Sequence, residues 1–135
     1  MRGLVAASLA FVCIGAMEAS AHHSLAPYIM STYRTVDGTV KSFEWTNPHA
    51  KLTLVVPGAN GGSSQWNFEG GSIGRLVSGG FTRDAIKAGD KITVAYSPKR
   101  DKGIGGFFLA VTTEDGTMYT TDRFKQLKTG GTVDQ

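Results

Sequence analysis

The stretch Ile86-Lys87-Ala88-Gly89-Asp90-Lys91-Ile92-Thr93-Val94 decides how this 135-residue chain folds. It opens with a polar segment around the Gly89-Asp90 pair, and glycine followed by aspartate is typical of a tight turn. Polar and apolar residues then alternate, and a period of two is typical of a strand with one buried face, because successive side chains of a strand point to opposite sides. The stretch therefore predicts a turn that leads directly into a β-strand.

Similar runs recur along the whole chain. Glycine clusters such as Gly61-Gly62 and Gly79-Gly80 separate segments rich in apolar, β-branched and aromatic residues, and this spacing indicates many short strands. The predicted strands are Thr35 to Trp45, Lys51 to Val56, Gln65 to Phe68, Lys91 to Ser97 and Phe107 to Thr113, with a short sixth run at Met118 to Thr121.

Two short helical segments are expected between the third and fourth strands. Ser72 can cap a turn that carries Leu76 and Val77, and Thr82 can cap residues 83–87. Three strands, a short helix and two further strands form the element order of a small closed barrel of the OB type, in which the helix covers one end. The sequence thus predicts an all-β fold, a closed OB-like barrel of five to six strands with one or two short helices. A β-sandwich is the alternative.

The N-terminus has the pattern of a secretory signal peptide. Arg2 is followed by an apolar run from Leu4 to Met17, and the small residues Ala19 and Ala21 suit the −3 and −1 positions of a cleavage site. The apolar run is shorter than the ~20 residues that span a bilayer, and no later run reaches that length. We therefore expect cleavage after Ala21 and a periplasmic or secreted product with no transmembrane segment.

Cleavage would divide the chain into a signal peptide over residues 1–21, one OB-like domain over 22–125 and a flexible C-terminal tail over 126–135. The one cysteine, Cys13, lies in the signal peptide, so packing rather than disulfides must hold the mature domain together. The net charge of +3 is small, and the basic cluster from Lys99 to Lys102 is interpreted as a solvated loop. We therefore expect no nucleic-acid partner.

Six short motifs distinguish the rest of the sequence. They are Ala21-His22-His23-Ser24, Gly38-Thr39-Val40-Lys41, Glu44-Trp45-Thr46-Asn47-Pro48-His49-Ala50, Trp66-Asn67-Phe68-Glu69, Phe81-Thr82-Arg83-Asp84 and Lys87-Ala88-Gly89-Asp90. On these motifs the chain resembles a family of small exported bacterial proteins that is known only as a domain of unknown function. The resemblance implies an exported barrel-like domain and implies no activity.

Three histidines, His22, His23 and His49, remain after the predicted cleavage. Cleavage after Ala21 would give His22 a free α-amino group, which titrates near pH ~8 and can chelate a cation together with the imidazole of the same residue. Pro48 restricts the backbone before His49 and would present that imidazole rigidly.

Two arrangements of these ligands follow, and both suit copper. The amine and imidazole of His22 with the imidazole of His49 form a three-nitrogen site resembling the histidine brace of exported copper proteins, and Cu(II) favours tetragonal nitrogen ligands. In the other arrangement His23, as second residue, chelates through its imidazole, the intervening amide nitrogen and the amine. The sequence leaves both open.

We therefore expect an exported binding module that holds copper. The alternative is a metal-free adaptor that docks an exported protein or a small ligand on an aromatic face beside Glu44, Trp45 and Asn47, with Trp66 and Phe68 contributing. A mono-copper redox enzyme is the weaker alternative. No serine has the context of a nucleophile and no catalytic residue is assigned, so binding is favoured over catalysis.

Overall fold

The computed structural model describes residues 25–129. Its elements, in chain order, are β1 (Arg34–Glu44), β2 (Lys51–Pro57), β3 (Ser63–Glu69), α1 (Ile73–Ser78), β4 (Lys91–Pro98), β5 (Gly106–Thr113), β6 (Met118–Thr120) and α2 (Asp122–Thr129). All six predicted strands are present, with bounds close to those expected. The predicted signal peptide, His22, His23 and the last six positions of the predicted tail lie outside the described residues.

The six strands form a single sheet in the order β3-β2-β1-β4-β5-β6. Neighbours in this order are antiparallel, and β3 also pairs in parallel with β5 through Phe68↔Gly106 and Glu69↔Phe107. The parallel pairing joins β3, β2, β1, β4 and β5 into a closed ring, while β6 extends β5 outside it. The predicted all-β fold with short helices and OB-like strand arrangement is confirmed, with α1 between β3 and β4.

Closure of the ring depends on two glycines at the start of β5. Gly105 has φ of 83°, a left-handed conformation that glycine adopts without steric cost. A Cβ atom there would lie 2.1 Å from the carbonyl oxygen of Asn67 on β3, and a Cβ atom at Gly106 would lie 2.2 Å from the carbonyl oxygen of Ser97 on β4. Both positions therefore need glycine for β5 to approach its two neighbours.

Apolar side chains fill the ring and also cover the outside of β5. Leu52, Leu54 and Phe108 are completely buried in the main core. A second cluster packs Tyr28 and Phe124 against the other face of β4 and β5. Because the segment before β1 and helix α2 cover this outer face, β5 is buried on both sides, which explains its continuous apolar run.

One of the two predicted helices is present and the other is not. Ser72 caps α1 as predicted, with its Oγ accepting from the N–H of Arg75. The prediction of a second helix at residues 83–87 is wrong. The backbone carbonyl of Thr82 accepts the N–H of Ala85 in an isolated turn instead.

Helix α2 was not predicted from the sequence. Near its start the N–H of Phe124 donates to Oγ1 of Thr121. Helix α2 includes residues 126–129, so the predicted start of the tail lies inside a helix. Among residues 25–129 no helix is long and apolar enough to span a membrane.

Candidate functional site

His49 lies in the loop between β1 and β2, and this loop is tied to the connection between β3 and α1. The N–H of Ala50 donates to the carbonyl of Gly71, and the carbonyl of Ala50 accepts the N–H of Gly70. Oδ1 of Asn47 accepts the N–H of Ile73, the first residue of α1. The Asn47-Pro48 peptide bond is cis. The loop that carries His49 is therefore anchored on both sides of the histidine, at Asn47 and at Ala50.

The hydrogen bond of His49 to a backbone carbonyl indicates which ring nitrogen is the donor. Nδ1 lies 2.8 Å from the carbonyl oxygen of Gly70 and 3.2 Å from Oε1 of Glu69. A carbonyl oxygen only accepts, so Nδ1 must be the donor, and in the neutral imidazole the lone pair is on Nε2. Metal-ligating histidines have this arrangement, with one ring N–H donated to a carbonyl or carboxylate and the other nitrogen coordinating. The side chain of His49 is 18% exposed.

Glu69 links His49 to the segment that precedes β1. Its second oxygen, Oε2, accepts the hydroxyl of Tyr28 at 2.7 Å. The ring of Tyr28 is buried and packs against Phe107 with a centroid distance of 5.6 Å. Burial, followed by the hydrogen bond and negative charge of Glu69, raises the pKa of Tyr28 far above its usual value, so the phenol remains a donor at neutral pH.

The segment before β1 is held against the β4–β5 connection. The N–H of Ile29 donates to the carbonyl of Pro98 at 2.8 Å, and the N–H of Arg100 donates to the carbonyl of Pro27 at 2.9 Å. Leu25, the first described residue, lines a cavity of about 420 Å³ together with Gly71. Tyr28 of the same segment donates to the carboxylate beside His49, so the segment that begins at Leu25 passes close to His49.

Of the three predicted metal ligands, the described range contains His49, whereas His22 and His23 lie before it. No group of three or more histidine, cysteine, aspartate or glutamate side chains within residues 25–129 could hold a metal ion.

The predicted partner face is only partly a surface. Glu44 is exposed, Trp45 is half-buried against Phe43, and the amide oxygen of Asn47 is used by α1. Phe68 belongs to the core, where its ring packs against Tyr96 with a centroid distance of 5.2 Å. The three aromatics Trp45, Trp66 and Phe68 therefore do not form one exposed docking face.

Sequence reasoning did not bring Tyr28, Glu69 and His49 together. The register of β2 and β3 pairs Lys51 with Glu69, and this places Glu69 beside the loop that carries His49. In the sequence Glu69 could be recognised as the last residue of a motif at the end of a strand. Its contact with His49 could not be predicted, because that contact depends on the register of β2 with β3.

Fold and site together define a small all-β domain with an OB-like ring of strands and an oriented histidine at one end. The sequence matches a family of unknown function, DUF6152, over residues 10–108. The match covers most of the chain, so the protein belongs to this family, and the family resemblance inferred from the motifs is confirmed. No curated protein and no solved structure matches the chain.

Proposed function

We propose that the mature protein is an exported metal-binding module that holds Cu(II) between its processed N-terminus and His49. The observation that carries the proposal is the bonding of His49, whose Nδ1 faces the Gly70 carbonyl and Glu69. This bonding puts the lone pair of the neutral ring on Nε2 and orients the imidazole before a metal arrives. An oriented ligand loses less conformational entropy on binding than a mobile one.

The position of the N-terminal segment supports a role for His22. Leu25 is three residues after His22, and Tyr28 of the same segment donates to the carboxylate beside His49. Three extended residues span ~10 Å, which is the reach available to the new terminus. The amine and imidazole of His22 would supply two nitrogens and His49 the third, a donor set for which Cu(II) has the highest affinity among divalent first-row ions. Chelation through His23 remains the other arrangement.

The partners of His49 would tune the metal. The Gly70 carbonyl that accepts from the ring N–H, with the Glu69 carboxylate 3.2 Å from the same nitrogen, would raise the basicity of the coordinating nitrogen. Loss of such partners typically costs ~10–100-fold in metal affinity. Tyr28 holds the same carboxylate through its hydroxyl.

The test is a Cu(II) titration of protein whose N-terminus has been established. The full precursor is exported, the mass of the purified product gives its first residue, and Cu(II) binding is followed by the visible spectrum and by calorimetry. The matched control is the same protein with one methionine preceding His22, which removes the terminal position of the amine and changes nothing in the ring. We expect this extension to weaken binding by at least tenfold. Equal binding by both forms would refute the role of the terminus.

Three single variants assign the ligands. We expect H22Q and H49Q to weaken Cu(II) binding strongly and H23Q to leave it within about twofold, with urea unfolding used to show that each variant is folded. If H23Q abolishes binding while H49Q has no effect, the copper site is confined to the first two residues and the proposed role of His49 is wrong.

A further inference from the structure

A second cavity, of about 320 Å³, lies between the segment before β1 and the β4–β5 loop. Four cationic residues, Arg34, Lys99, Arg100 and Lys102, line it together with the aromatic side chains of Trp66 and Tyr96. None of its lining residues is acidic, and neither Tyr28, Glu69 nor His49 lines it. The cavity is therefore separate from the proposed metal site.

Among residues 25–129, no carboxylate lies within ion-pair distance of the four cations of this cavity. Within residues 25–129 Lys125 pairs with Asp122, and the imidazole of His49 lies beside Glu69; neither contact involves a cation of the cavity. Asp101 lies in the same loop, where its Oδ1 accepts the N–H of Gly103. Its single negative charge is outnumbered by the four cations that line the cavity. Several like charges around a concave surface raise the local potential and favour an anion.

Two of the lining groups are held in place by the protein. Nε of Arg100 donates to the carbonyl of Ala26 at 2.8 Å, which directs one edge of the guanidinium to the backbone and leaves the Nη groups as donors for an anion. Nε1 of Trp66 donates to Oγ of Ser64 at 3.0 Å, which fixes the orientation of the indole.

The aromatic part of the cavity fits a flat apolar group. The rings of Trp66 and Tyr96 meet edge to face with a centroid distance of 6.1 Å, and Tyr96 is buried while Trp66 is half-buried. An aromatic ligand gains both apolar burial and favourable ring contacts on such a surface. The volume is near the lower end of the ~300–1,000 Å³ found for small-molecule sites, so the size suits a small molecule rather than a protein segment.

We propose that this cavity binds a small organic anion in which a planar apolar body carries a carboxylate, that is, an aromatic carboxylic acid. The carboxylate interacts with the cations of the cavity, and the planar body packs against Trp66. This site requires no metal, so its test is independent of the copper proposal.

The test uses benzoate as the probe and follows backbone and indole N–H signals of the mature protein by NMR at physiological ionic strength. We expect saturable shifts confined to residues around the cavity, including the indole N–H of Trp66. Benzamide, the neutral isostere, should bind at least tenfold more weakly because a hydrogen bond to a charged group is stronger than one to a neutral group. Inorganic phosphate should also bind more weakly, since it lacks the planar body.

Paired variants separate a specific site from general charge. R34Q/K99Q removes two cations that line the cavity, and we expect benzoate affinity to fall at least tenfold. The matched control K51Q/K91Q removes two exposed lysines that do not line it, and we expect a change of less than twofold. The proposal would be overturned if both double variants lost affinity equally, or if benzoate and benzamide bound equally well. It would also be overturned if phosphate bound as tightly as benzoate, or if no saturable shift appeared at about 10 mM benzoate.

Discussion

The hydrogen bond between Tyr28 and Glu69 offers a sharp test of how the N-terminal segment is attached. Tyr28→Phe removes one oxygen atom, while the ring can keep its contact with Phe107. A hydrogen bond to a charged group contributes ~1.5–3 kcal/mol. Glu69 is 38% exposed, so water can replace part of the bond in the variant. We therefore expect the free energy of unfolding to fall by about 1.5 kcal/mol, the lower end of that range.

Urea unfolding at pH 7 measures this loss. With an m-value of about 1.5 kcal/mol per molar urea, typical of a small domain, the midpoint should fall by about 1 M. Tyr33→Phe is the matched control, because it removes the same atom from a tyrosine that is partly exposed and packs its ring against Phe124. We expect the midpoint of this control to change by less than about 0.3 M, as for a surface substitution.

The same bond predicts how the difference between wild type and Tyr28→Phe changes with pH. Burial and Glu69 raise the pKa of Tyr28, so the folded protein keeps this proton at pH values where the unfolded chain, with a pKa near ~10, has lost it. The stabilisation is present below pH ~10 and is lost as the pH rises further. By pH 11 wild type should lose about 1.4 kcal/mol relative to Tyr28→Phe, which nearly closes the gap. The lysines titrate in both proteins, so their effect cancels. A gap that is the same at pH 7 and pH 11 would refute this reasoning.

Substitutions at three further positions test the packing of the β1–β2 loop, the β3–α1 connection and α1, each by urea unfolding. Gly70→Ala should destabilise the protein by ~1–3 kcal/mol, because the added Cβ would lie 2.2 Å from Cε1 of the fully buried Phe108, and an unchanged midpoint would contradict this packing. Gly74→Ala, in α1 with nothing within 4 Å of its added Cβ, should instead stabilise the protein by ~0.5–1 kcal/mol; a loss would show that α1 is less regular than described. Asn47→Ala should cost ~0.5–2 kcal/mol because the N–H of Ile73 loses its acceptor, whereas Asn47→Asp, which keeps an acceptor, should cost less.

The strands could be predicted because their signal is local. Alternation in Leu52, Leu54 and Val56 marks one buried face of β2, and all three side chains are buried in the core. Helix α2 was missed because its sequence is mostly polar and its stability depends on Phe124 docking against the outside of β5. Its apolar face consists of Phe124 and Leu127 alone, at i and i+3, and two apolar residues in an eight-residue polar segment are too few to predict a helix.

By itself the sequence determined which segments become strands, their order along the chain and the presence of a histidine next to a proline in a connecting loop. The tertiary structure alone decided what surrounds that histidine, because Glu69 reaches it through the register of β2 with β3, and Tyr28 reaches the same carboxylate from a segment that pairs with Lys99. It likewise brought Arg34 beside Tyr96 and so placed a cation at the second cavity. A hydrophobic period is a property of neighbouring residues, whereas register is a property of the closed ring, in which every strand must fit two partners at once.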